Sequence, residues 1–200
     1  MDNPQVRRTK KLLFDALLSL MEQKPYSKIT IQEIVTTAEL SRTAYYTHYN
    51  SKDDVLLDYL GILYRSYINA CLLPTRTTPK TQYENIKLTL QGYWNDRKVY
   101  ILIHNNNLDH LAYQAKMNNY DLTAELVRQT LSDDLDNDEL YYKIYTPYHR
   151  KAENELIMEW LSDSDPKPIN YVASLIASIT GIDVYNAFKK QYLHMLSIYN

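Results

Sequence analysis

Two hundred residues, 45% hydrophobic and 23% charged, suffice for one sizeable core or for a small head joined to a larger body, in an ordinary globular composition. A single cysteine, Cys71, excludes an internal disulfide framework, and three glycines with seven prolines favour long helices over many short strands. The formal net charge of −2 excludes a chain coated in basic residues; yet residues 1–52 hold eight Lys/Arg against five acids, a net +3, which leaves −5 for the remainder.

Leu13, Ala16, Leu17, Leu20 and Met21 recur on one helical face and predict a first helix over about residues 5–23, ended by Pro25. Arg7, Arg8, Lys10 and Lys11 crowd its start, against the helix dipole, so a role other than helix stability is expected of them. Thr30-Ile31-Gln32-Glu33 has the form of a capping box opening a short second helix that turns Ile31, Ile34 and Val35 inward. Ser41 is placed to cap a third short helix, from Arg42 to about Tyr49. A fourth opens at Ser51-Lys52-Asp53-Asp54 and extends toward Leu73, before a loop bracketed by Pro74 and Pro79. Further helices are expected over about 80–95, 97–105, 108–131, 137–162 and 168–196, with Pro168 suited to the first turn of the last. The fold class is all-α. Neither an apolar run of 18 residues nor an apolar leader is seen, so a cytoplasmic protein with no membrane contact is expected.

Three helices in 50 residues could form a plain helical subdomain. The order of Thr30-Ile31-Gln32-Glu33-Ile34, Ala38-Glu39-Leu40-Ser41, Arg42-Thr43-Ala44-Tyr45-Tyr46-Thr47-His48-Tyr49 and Ser51-Lys52-Asp53-Asp54-Val55-Leu56 is more telling. It resembles the DNA-binding head of the TetR family of bacterial transcription regulators over about residues 7–60. The resemblance implies a three-helix head, a long fourth helix leading to a helical body for dimerisation and ligand binding, and a division into residues 1–52 and 53–200. A helix can enter the major groove when its outer face is short, polar and free of acids, and no acid lies between Ser41 and Ser51. Arg42 suits guanine readout, because a guanidinium can donate two bonds to one base edge. Ser41, Thr43, Ala44 and Thr47 are the other residues of this reading surface. By resemblance Tyr46 and His48 reach phosphates, while Lys52 and the hydroxyl and backbone of Thr30 clamp the flanking DNA backbone. Tyr45 and Tyr49 match interior positions of the family. Glu39 stands where glycine is common, at a turn residue tending to a left-handed conformation, and Ala44 replaces a commonly polar residue.

Apolar residues surround nearly the whole of the last predicted helix, with Ala173, Ala177 and Gly181 at steps of four. With Leu156 and Trp160 they suggest a four-helix interface between two copies; a helix pair within one chain would use the same stripe. Twenty tyrosines are unusual. Tyr93, Tyr113 and Tyr145, with His104, are candidates for contact with an unidentified small-molecule effector, although tyrosines also serve at helix packing edges.

Asp134 to Asp138 imitates the start of a calcium loop, but Glu139 replaces the glycine such a loop needs and Tyr145 its final carboxylate. The five histidines show no helical pair at metal spacing, and no catalytic constellation is found, so neither metal, cofactor nor catalytic residue is expected. The leading expectation is a homodimeric repressor on a palindromic double-stranded DNA operator, released by its effector. An architectural or protein-recruiting DNA-binding factor, and an α-helical enzyme, are the alternatives.

Overall fold

A computed structural model describes residues 3–72, 82–119, 140, 146–180 and 182–199, and every regular element among them is helical. The helices are α1 Pro4–Met21, α2 Ile31–Thr37, α3 Arg42–Tyr46, α4 Lys52–Leu72, α5 Gln82–Asn95, α6 Arg97–Asn105, α7 Asp109–Met117, α8 Thr146–Ser162, α9 Ile169–Thr180 and α10 Ile182–Tyr199, with a 3-10 turn at Tyr26–Lys28. The chain forms two compact units, residues 1–66 with 96–120 and residues 67–95 with 121–200.

In the first unit α1 starts where Pro4 needs no hydrogen bond and the Asn3 side chain accepts the Gln5 N–H. Its apolar face, Leu13, Phe14, Ala16, Leu17, Leu20 and Met21, is buried. Ile34 and Val35 of α2, Tyr45 of α3 and Val55 and Leu56 of α4 close on that face. Each such side chain contributes roughly 1.5–3 kcal/mol by leaving water. Val99, Ile103, Leu108, Leu111 and Ala115 belong to the same core, so α6 and α7 complete it.

The bounds of α6 are those read from sequence. Helix α7 is shorter than the predicted 108–131: it closes at Met117 with Asn118 as its cap, and the Asn119 side chain donates to the Ala115 carbonyl at 2.7 Å. Residues 120–131 lie outside the described part, as do residues 141–145 and Gly181.

In the second unit α9 lies along α5 and also meets α10, while α5 meets α8. Leu90, Ile157, Leu161, Val172, Ala173 and Ile176 are buried here. Trp94 and Trp160 pack with ring centroids 5.2 Å apart, and the Trp160 indole N–H donates to the Lys167 carbonyl at 2.8 Å. Helix α4 begins in the first unit and ends in the second.

Candidate nucleic-acid interface

Helix α2 opens with the predicted capping box. Glu33 N–H donates to Thr30 Oγ1 at 3.3 Å, while the Glu33 carboxylate accepts from the Thr30 N–H at 2.9 Å and from its hydroxyl at 2.8 Å. Both groups of Thr30 that were expected to clamp phosphate are therefore engaged within the head. Lys24 bonds the same carboxylate. That bond, with those from Thr30, lowers the Glu33 pKa to about 2.

The turn after α2 is a Schellman motif. Leu40 N–H donates to the Val35 carbonyl at 2.9 Å and Glu39 N–H to Thr36 at 3.2 Å. Glu39 adopts a φ of 55°, the left-handed conformation expected at its position. The chain reverses within three residues, and Ser41 starts α3 by accepting the Ala44 N–H at 3.0 Å.

Short as it is, α3 is anchored on one side and open on the other. Tyr45 is fully buried and Tyr49 nearly so, as their interior positions imply, and the Tyr49 hydroxyl donates to Asp58 at 2.7 Å. Burial, then the nearby Asp54, raises the Tyr45 hydroxyl well above the ordinary tyrosine range. Ser41, Arg42, Thr43, Tyr46 and Thr47 are exposed, and Ala44 and His48 half-buried. The Arg42 guanidinium lies over the Tyr46 ring at 5.8 Å and donates to its hydroxyl at 3.4 Å. This contact holds the long Arg42 side chain to the outer face and leaves most of its five donors for a partner. Thr47 donates its hydroxyl to the Thr43 carbonyl at 2.9 Å, so what it leaves for a partner is a methyl group and an acceptor oxygen.

Lys52 is turned partly inward. Its ammonium donates to the carbonyls of Tyr26 at 2.6 Å and Ile29 at 2.9 Å, and lies 4.3 Å from the centre of the Tyr26 ring. Burial lowers its pKa from the usual lysine value, with Asp53 opposing that shift and Lys24 adding to it. The Tyr26 hydroxyl donates to Asp53; burial, then this carboxylate, raises its pKa strongly. An ammonium has three donors, so two internal bonds leave one for a phosphate oxygen.

The remaining sequence candidates are dispersed. Trp160 and Ala173 are buried inside the second unit, Leu156 and Ala177 are half-buried, and Gly181 lies outside the described residues. The close approach that Ala173 permits is taken up within the chain, in the unit where α9 lies along α5. Tyr93 lies beside Tyr67 in the second unit, ring centroids 6.5 Å apart. His104 and Tyr113 belong to the first unit: the His104 Nδ1 is 3.1 Å from an Asp109 oxygen, and Tyr113 is 62% exposed. Tyr145 lies outside the described residues. A cleft of about 200 Å³ between α1 and α4 is lined by Phe14, Val55 and Tyr59 among others, and by none of these effector candidates. Sequence reasoning missed Lys24, Tyr26, Asp53 and Asn106, whose partners are 9 to 80 residues away. No local pattern marks such pairs.

The family described as bacterial regulatory proteins of the tetR family matches residues 13–59. The uncharacterized HTH-type transcriptional regulator YuxN of Bacillus subtilis (strain 168) is 25% identical over 126 residues, which are 60% of this chain and 39% of that protein. The matched stretch thus spans well under half the length of that relative. The crystal structure of a TetR transcriptional regulator from Streptococcus agalactiae 2603V aligns with a TM-score of 0.59 at 18% identity, over 88% of this chain and 94% of that one. At that identity the likeness is one of fold.

Proposed function

We propose that this chain, whose residues 13–59 match the tetR family of bacterial regulatory proteins, is a homodimeric transcription regulator that reads a palindromic DNA operator through α3. The observation that carries this reading is the outer face of α3, where Arg42, Thr43, Tyr46 and Thr47 stand exposed on a helix anchored by the buried Tyr45. Arg42 reads a base edge, with Thr43, Ala44 and Thr47 setting the shape it reads against. The hydroxyls of Ser41 and Tyr46, the His48 ring and the third donor of Lys52 meet phosphates. Thr30 contributes by fixing the start of α2. Residues 1–52 supply these contacts, residues 53–66 and 96–120 complete the head, and residues 67–95 with 121–200 supply dimerisation and regulation.

Two heads must be joined to read two half-sites. Tyr171, Leu175, Leu193, Met195, Leu196 and Ile198 are exposed on α9 and α10, and we assign the partner copy to this apolar surface. The segment Ile169–Ile198 is long and apolar enough to cross a membrane by length and composition, and 27% of its most apolar window is buried. A dimer soluble without detergent is the outcome expected of the present reading; a chain that needs detergent would oppose it.

As a repressor, the protein would release its operator when an effector binds the regulatory part more tightly in one head spacing than in the other. A ligand-free architectural factor is the second reading, favoured by a cleft in the first unit that none of the effector candidates lines. No reaction is assigned to the chain. Selection from random duplex DNA followed by a gel shift tests the whole reading. Enrichment of a short palindrome is expected; retention of DNA without any preferred sequence would oppose it.

A further inference from the structure

The turn between α1 and α2 is tied to α6 by one side chain. Asn106, the residue that caps α6, accepts the Tyr26 N–H through Oδ1 at 2.8 Å. Its Nδ2 donates to the Leu102 carbonyl at 2.9 Å, which fixes the amide on its own helix. That helix end is closed by its own backbone. Asn107 takes a left-handed φ of 57°, and Leu108 N–H donates to the Ile103 carbonyl at 3.0 Å. Leu108 is buried in the core of the head. The ion pair of Lys98 with Glu22 also joins α6 to this region, but it is between exposed groups, and such pairs contribute little.

Tyr26 is also where Lys52 is held. Its carbonyl and that of Ile29 take two of the three Lys52 donors, so the direction of the third follows the placement of this turn. We propose that Asn106 is a positioning residue for DNA binding: it fixes the Tyr26 turn, whose carbonyls aim the Lys52 ammonium at a phosphate. This rests on the phosphate contact assigned above to Lys52.

The test measures operator binding against salt for the full chain and for Asn106→Ala, Asn106→Asp, Lys52→Ala and Asn106→Ala with Lys52→Ala. Losing one phosphate contact lowers the slope of log affinity against log salt by about one. Asn106→Ala is expected to weaken binding about tenfold, to lower the slope by that amount and to leave base preference unchanged. Asn106→Asp keeps the acceptor and should restore the slope. The double variant should bind no more weakly than Lys52→Ala alone. An Asn106→Ala chain with the wild-type slope, even one of reduced thermal stability, would overturn the proposal, as would additive losses in the double variant. An unchanged slope in Lys52→Ala would remove its premise. A wild-type chain that selects no DNA would instead defeat the regulator reading.

Discussion

Tyr45 places its whole ring inside the head with no exposed surface, and its hydroxyl is buried without a hydrogen-bond partner among the described residues. Leaving such a group unsatisfied costs about 1–3 kcal/mol. Tyr45→Phe is therefore expected to stabilise the protein by about 1 kcal/mol, read as a higher urea midpoint at unchanged slope. Arg42 is the opposite case, an exposed side chain to which the proposed reading assigns a base contact and little part in stability. Arg42→Ala should leave the unfolding midpoint in place while discrimination at one base pair falls by about 1–3 kcal/mol, as measured with a panel of single-substitution operators. Glu33 carries a pH dependence. Its folded pKa of about 2 lies below the ordinary 4.5, so its contribution is present above about pH 4.5 and is lost as pH falls toward 2. Glu33→Gln should flatten the acid limb of a stability profile over that window, and a limb of unchanged steepness would count against the network with Lys24 and Thr30.

At the scale of the element, local chemistry gives most of what is seen. The face of α1, the capping box of α2, the cap of α3 and the bounds of α6 follow from residues within one or two turns of each other, where periodicity and caps act. The left-handed turn residue was legible through the family resemblance, which marks the place of Glu39 as one where glycine is common, and Glu39 has the positive φ this implies. A non-glycine residue there costs about 1 kcal/mol. Glu39→Gly is expected to offset that strain, leaving stability equal or up to about 1 kcal/mol higher, and to tighten DNA binding by removing a negative charge beside α3. Weaker DNA binding by this variant at undiminished stability would show that the carboxylate has a role of its own. Where the elements departed from expectation, a side chain closed a helix early, as at Asn118-Asn119, or a hydroxyl was engaged by its own capping box, as at Thr30.

At the scale of the whole molecule the second unit sets the reading of the two-copy assembly. Trp160 and Ala173 are consumed by packing within the chain, while α9 and α10 expose Leu175, Leu193 and Leu196. Leu193→Arg with Leu196→Arg is expected to halve the mass in solution by light scattering and to lower affinity for a palindrome far more than for a half-site. A variant that keeps the wild-type mass would place the partner on another surface. The all-α class and, through the family resemblance, the helix-turn-helix with the exposed outer face of α3 could be read from the chain, since each depends on contacts between near neighbours. The joining of α6 and α7 to the head, the inward turn of Lys52, the Asn106 bond to Tyr26 and the burial of Ala173 could not. A helical period says which face leaves water, but the surface that covers it is chosen among distant segments by packing and hydrogen bonding in three dimensions.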